Sequence, residues 1–190
     1  MDVTRDRDAV RHRYEVPGWG VGELRVRDDV LFAHALPSRR RKLFPAEGDP
    51  QGGASPPEVT LAGAAPQMGD GFVPDLCRRF VAHLGGTRVD YDEVAIDDAG
   101  LSDFQRELLA AVRTVGWGDV VSYGGLAALA GRPRAARAAG SFCASNRFSL
   151  VVPCHRVVAA GRGEPYEIGG YGASGHRLKR RLLALEGTLL

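Results

Sequence analysis

Sulfur is scarce in this chain of 190 residues, which has three cysteines and two methionines. Cys77, Cys143 and Cys154 are too few and too scattered for a disulfide framework, so each is read as a free thiol. Long apolar runs are missing too. No stretch approaches the roughly 20 continuous apolar residues of a membrane span, and the charged start Met1-Asp2-Val3-Thr4-Arg5-Asp6 lacks a signal-peptide core. The expectation is a soluble cytoplasmic protein with no membrane partner. Carboxylates are absent between Asp119 and Glu164, where Arg132, Arg134, Arg137, Arg147, Arg156 and Arg162 all lie. The net charge of +2 hides this asymmetry. Residues 1–100 carry 13 Lys/Arg against 17 Asp/Glu, or −4, and residues 101–190 carry 12 against 6, or +6. Only the second half looks like a polyanion binder, and a merely solvated basic face is the alternative that motifs must displace.

The apolar content of 44% supports one compact domain or two small ones. Residues 14–36 alternate turn residues with short β-type runs, as in a small antiparallel sheet. Composition shifts to Gly, Pro, Ala and Ser at about 45–74, a loop or insert with little periodicity. A short helix over 75–84 and a strand over 88–96 complete a small α/β unit. In the second half, Ser102 and Gln105 fit a capping box ahead of an apolar stripe of Phe104, Leu108, Ala111, Val112 and Val115. Helical stretches at 126–130 and 134–143 flank Gly131-Arg132-Pro133, a pattern that fits a helix-turn-helix. The second of these helices offers Ala135, Ala136, Ala138, Ala139 and Gly140, with Arg137 as its one long side chain. A helix that reads base edges needs Arg, Asn or Gln, so this one is suited to close approach. The competing reading packs its alanines on a neighbouring helix.

Residues 149–152 form a short apolar β-type run, broken by Pro153 and followed by Cys154-His155-Arg156. A thiol beside an imidazole and a guanidinium meets the condition for a reactive cysteine, since nearby positive charge favours the thiolate. Cys77 and Cys143 sit in helical contexts and fit the commoner role of buried, inert thiols. Leu178, Leu182, Leu185 and Leu189 mark an apolar helix face with Glu186 at its edge, and a carboxylate there needs a donor such as His155. Cys154, His155 and Glu186 could then form a relay like a thiol-protease triad.

The segment 118–158, from Gly-Asp-Val-Val-Ser-Tyr-Gly-Gly-Leu-Ala through Pro-Arg-Ala-Ala-Arg-Ala-Ala-Gly to Val-Val-Pro-Cys-His-Arg-Val-Val, resembles the methylated-DNA-protein-cysteine S-methyltransferases, or O6-alkylguanine-DNA alkyltransferases. The resemblance covers roughly 101–187, and the N-terminal half is similar only in outline. It implies an α+β fold: a variable N-terminal α/β domain with an antiparallel sheet over 1–98, and a mostly helical, winged-helix-like DNA-binding and catalytic domain over 99–190. It also implies direct reversal of O6-alkylguanine, and of O4-alkylthymine, by irreversible transfer of the alkyl group to Cys154. His155 would activate the thiol through a water and Glu186 would orient His155. Asn146 matches an asparagine hinge, and Tyr123 a tyrosine that turns the DNA backbone and helps protonate the leaving guanine. Arg137 would fill the gap left by a flipped nucleotide, while Ala135, Ala136, Ala138 and Gly140 would meet the minor groove of double-stranded DNA. Val157 and Tyr171 would line the base pocket. A monomer with no metal and no organic cofactor is expected; His12, His34, His83 and Cys77 lack ligand spacing for zinc.

Arg147-Phe148, Gly172 and a lengthened loop at 161–168 depart from the family pattern at the border of the pocket. Three other readings compete. An alkyltransferase-like lesion binder lacks the cysteine, a helix-turn-helix regulator needs a side-chain-rich reading helix, and a Cys-His hydrolase leaves the DNA-directed features unexplained.

Overall fold

The computed structural model describes residues 8–38, 71–161, 166–171 and 175–188. The chain divides into two compact units, one of residues 1–89 with 93–97 and one of residues 90–92 with 98–190.

In the first unit, β1 (Val10–Val16), β2 (Gly20–Arg27) and β3 (Val30–Ser38) form an antiparallel sheet in that order. Asp28 and Asp29 close the second hairpin with φ of 51° and 56°. Positive φ at both central residues gives the turn a twist that matches the strands it joins, and Asp tolerates that region better than most residues. The inward side chains Tyr14, Leu24 and Leu31 are fully buried. Gly22 makes room for Tyr14, because a Cβ there would lie 2.4 Å from its ring. Helix α1 (Phe72–Leu84) buries Leu76, Cys77, Phe80, His83 and Leu84. It begins three residues before the expected 75, since Pro74 falls in its first turn, where a missing N–H costs nothing. Of the insert expected over 45–74, residues 45–70 lie outside the described residues. The strand expected over 88–96 is absent: the Asp92 N–H donates to Asp90 Oδ1 at 2.8 Å and turns the chain, and only Ile96 bridges to Leu31.

The second unit begins with α2 (Asp103–Arg113), whose capping box is present in both directions: Ser102 Oγ accepts from the Gln105 N–H and Gln105 Oε1 from the Ser102 N–H. Then follow β4 (Val121–Ser122), α3 (Tyr123–Leu129) and α4 (Ala136–Ala144). α3 and α4 pack on each other. β5 (Val157–Ala160) runs parallel to β4 and antiparallel to β6 (Tyr166–Glu167), and α5 (Gly175–Leu185) closes the unit. Of the loop expected over 161–168, residues 162–165 lie outside the described residues, as do Gly172 and Leu189.

The apolar run 149–152 is a turn, contrary to expectation. Leu150, Val151 and Val152 are buried, but Leu150 takes φ 68° and the Val152 N–H bonds to the Phe148 carbonyl at 2.8 Å. Burial accounts for the apolar side chains here; no strand partner is needed. Among the described residues, no helix is long and apolar enough to cross a membrane.

Candidate active site

Pro153 has φ −79° and ψ 57°, and the Cys154 N–H donates to the Val152 carbonyl at 2.8 Å. This is an inverse γ-turn, and it leads directly into a single 3₁₀ turn, Cys154–Arg156. The tight path folds three polar side chains into the interior together: Cys154 is 2%, His155 0% and Arg156 8% exposed.

Glu186, at the end of α5 and 5% exposed, gathers two of them. Arg156 donates from Nε to Oε2 at 2.9 Å and from Nη2 to Oε1 at 2.8 Å, a forked pair that holds the carboxylate ionised, and its Nη1 reaches the Val115 carbonyl at 2.7 Å. His155 Nε2 lies 2.9 Å from Glu186 Oε1. An ionised carboxylate only accepts, so Nε2 carries the proton, and in the neutral ring Nδ1 is then the basic nitrogen. Glu186 itself is tied back by the Gly118 N–H, and Thr188 Oγ1 donates to the Gly118 carbonyl at 2.7 Å.

Asn146 staples the segment that precedes the thiol. Its Nδ2 donates to the Val152 carbonyl and its Oδ1 accepts from the Phe148 N–H, both at 2.9 Å. Tyr123, half-buried at the start of α3, donates to the Gly170 carbonyl at 3.2 Å. Gly169, at φ 63°, allows this approach, because a Cβ would sit 3.2 Å from the Tyr123 hydroxyl. Val157 is fully buried in β5, and Tyr171 is half-buried. Arg137 stands apart from this cluster, exposed on α4 beside exposed Ala138, while Ala135, Ala136 and Gly140 are half-buried. Ala139 is fully buried, so packing takes one of the alanines and leaves the others near the surface.

Three participants were missed by sequence reasoning. Lys179 is 0% exposed; its Nζ donates to the carbonyls of Val157 and Gly170 and lies 5.7 Å from the Tyr123 ring centre. Burial lowers its pKa to about 8, against the pull of the two nearby thiols. Its signal was in the sequence: Lys179, Leu182, Leu183 and Glu186 share one helical stripe. Arg156, taken as a charge beside the thiol, is spent on Glu186. Cys143, expected to be a buried, inert thiol, is half-buried, and its presence raises the Cys154 pKa.

The neighbouring Cys143 thiol, followed by burial, raises the Cys154 pKa well above its ordinary value, while Lys179 and Asn146 pull it down. Burial, with smaller contributions from the two thiols, also raises the pKa of Tyr123, and burial raises that of Tyr171.

Residues 103–188, which hold this whole arrangement, match the family described as 6-O-methylguanine DNA methyltransferase, DNA binding domain. A methylated-DNA–protein-cysteine methyltransferase of Methanopyrus kandleri is 39% identical over 134 residues, 70% of this chain and 95% of that one. The chain belongs to this family. The Salmonella typhimurium methylated-DNA–protein-cysteine methyltransferase is 47% identical over 91 residues, and there the match spans 48% of this chain and half, 50%, of the relative. Among solved members, Mycobacterium tuberculosis OGT in complex with DNA shares 28% identity and a TM-score of 0.67, with 93% of this chain and 92% of that one covered. The α+β architecture expected from the sequence is therefore the architecture of the methyltransferase family.

Proposed function

We propose that this protein repairs DNA by moving an alkyl group from the O6 of guanine to Cys154 in a single irreversible event. The observation that carries the proposal is a buried thiol two residues from a carboxylate-bound guanidinium and next to a histidine whose basic nitrogen is set by Glu186. The relatives' names and the structure of OGT with DNA supply the substrate class.

In this mechanism the resting thiol is protonated and gives up its proton when substrate is bound. His155 Nδ1 takes it through a water, and Glu186 and Arg156 stabilise the imidazolium that forms. Lys179, held beside the thiols by two carbonyls, favours the thiolate. The sulfur attacks the alkyl carbon in line with the O6 bond, and that bond's electron pair leaves with guanine. Tyr123, whose raised pKa keeps its phenol protonated, supplies a proton to the departing base. A thioether remains on Cys154. No second nucleophile in the motif cleaves it, so each molecule acts once.

The lesion lies inside the duplex, and the nucleotide must be extruded at a cost of about a few kcal/mol, least where pairing is already poor. α4 presents the surface for this: exposed Arg137 and Ala138 with half-buried Ala135, Ala136 and Gly140 would meet the minor groove, Arg137 filling the vacated space. α3 and α4 are read as the helix-turn-helix, residues 99–190 as the DNA-binding and catalytic domain, and Val157 and Tyr171 as pocket walls. The protein is read as a cytoplasmic monomer that uses no cofactor.

The test is stoichiometric. With O6-methylguanine duplex in excess, repaired lesions should plateau at one per protein molecule, and continued turnover would refute the proposal. The Cys154→Ala variant should bind the lesion and leave it intact; a variant that still repairs would move the acceptor elsewhere.

A further inference from the structure

Lys179 does more than place a charge near the thiol, because its contacts converge on Tyr123. A fully buried ammonium is costly unless acceptors take up its protons. Here Nζ donates to the Val157 carbonyl and, at 3.0 Å, to the Gly170 carbonyl. The Gly170 carbonyl also accepts from the Tyr123 hydroxyl at 3.2 Å, so the lysine and the phenol share one oxygen. The ammonium lies 5.7 Å from the centre of the Tyr123 ring, inside the roughly 6 Å range of cation–π attraction. Val157 pairs with Val121, so the other carbonyl that Lys179 holds belongs to the strand beside the one that leads into Tyr123. Gly169 completes the seat at φ 63°: a Cβ there would lie 3.2 Å from the Tyr123 hydroxyl and 3.1 Å from the Ala159 nitrogen.

We infer that Lys179 is a positioning residue for Tyr123: it holds the Gly170 carbonyl so that the phenol is seated before DNA binds and can leave that carbonyl for the guanine. The inference rests on the alkyl-transfer reading and deepens it. A phenol that protonates a departing base must first surrender the acceptor it has. A carbonyl oxygen carries two lone pairs, and Lys179 donates to the Gly170 oxygen independently of the phenol. When Tyr123 turns away, the oxygen therefore keeps a charged donor. Removing the ammonium takes away that donor and the cation beside the ring together, and the proton donor loses its fixed position.

This role separates cleanly from any influence of Lys179 on the sulfur. An effect on the thiol slows every alkylation of Cys154. An effect through Tyr123 slows only a reaction whose leaving group needs a proton. Guanine needs one when the bond from the alkyl carbon to O6 breaks, because the electron pair stays on the base. Iodide, displaced from methyl iodide by the same sulfur, departs as a stable anion and needs none.

The experiment compares two rates in the full chain, methyl transfer from O6-methylguanine duplex and methylation of Cys154 by methyl iodide, each scaled to the sites that methyl iodide can label. In Lys179→Met the ratio of the guanine rate to the iodide rate should fall by about tenfold or more. Gly169→Ala, which crowds the same hydroxyl, should lower the ratio too. In a Tyr123→Phe background neither substitution should lower it further, since the group they position is gone. Lys179→Gln, a neutral donor one methylene shorter, should show the same fall in smaller measure and serves if Lys179→Met does not fold. Equal slowing of both reactions, or a fall in the ratio that persists in Tyr123→Phe, would overturn the inference. A readout independent of transfer is the carbon-13 resonance of the Tyr123 ring carbon that bears the hydroxyl. It should move in Lys179→Met while those of the buried Tyr14 and Tyr91 stay in place, and an unmoved Tyr123 signal would also overturn the inference. A wild type that never takes a methyl from guanine would refute the alkyl-transfer reading, and the resonance would still decide whether Lys179 holds the phenol.

Discussion

Both units bury a histidine and a glutamate, and they use them differently. In the first unit, Tyr14 Oη and His34 Nε2 are 2.6 Å apart, and the His34 ring stacks on Phe80 with centroids 3.8 Å apart. Glu23, 3% exposed, pairs with Arg11 and Arg13, which are 44% and 51% exposed. There the ion pairs and ring contacts serve the packing of sheet and helix. In the second unit, Glu186, His155 and Arg156 converge on the segment that carries a buried thiol, and Glu186 fixes the proton on one ring nitrogen so that the other is basic. Burial of a titratable residue is therefore not the mark of a site. A nucleophile beside a group with a basic position to offer is.

The comparison can be broken by paired substitutions. The largest effect is expected from Glu186→Gln, which leaves the Arg156 charge uncompensated and releases His155 from its tautomer. Transfer should fall by about 100-fold or more, and stability by about 3 kcal/mol, measured by single-turnover kinetics and denaturant titration. Its counterpart, His34→Leu, leaves the Tyr14 hydroxyl without that partner. It should cost about 1–3 kcal/mol while transfer per folded molecule stays unchanged; a matching loss of transfer would mean that the first unit takes part in the chemistry.

Gly22→Ala should lower stability by about 1–3 kcal/mol, because the new methyl meets the buried Tyr14 ring, again with no effect on transfer. Arg137→Ala should leave stability within about 0.5 kcal/mol, since the residue is exposed. It should slow repair of duplex more than reaction with free O6-alkylguanine, and equal slowing of both would count against its role in extrusion.

The smallest effect is a pH dependence. Burial lowers the Lys179 pKa to about 8, from 10.5, so between these values the unfolded chain holds more protons than the folded one. Lys179 therefore makes wild-type stability rise with pH across that window. Comparison with Lys179→Met should show the difference shifting toward the wild type from pH 8 to 10.5. A flat difference would mean that the ammonium is effectively solvated.

What the sequence revealed follows how local each signal is. The capping box of Ser102 and Gln105, the positions of α3 and α4, and the pairing of His155 with Glu186 rest on spacing along one or two elements. Residues 149–152 misled because a buried apolar run looks the same in a strand and in a turn, and only the Asn146 side chain and the positive φ of Leu150 decide between them. The strand expected at 88–96 lost to a turn made by an aspartate side chain. Lys179 escaped notice because a charged residue interrupts an apolar stripe. Leu178 and Leu185, which defined the expected face, prove half-buried, while Lys179, Leu182 and Leu183 point inward. The influence of Cys143 on Cys154 was not legible in the sequence, since it depends on the chain reversing between α4 and the 3₁₀ turn.

The central claim is that Cys154 accepts the alkyl group, and peptide mapping after incubation with an excess of O6-methylguanine duplex tests it most directly. The expected result is the mass of one added methyl on the peptide that carries Cys154, and on no other. A methyl on Cys143 or Cys77, or an unmodified protein in a reaction where the lesion has disappeared, would contradict it.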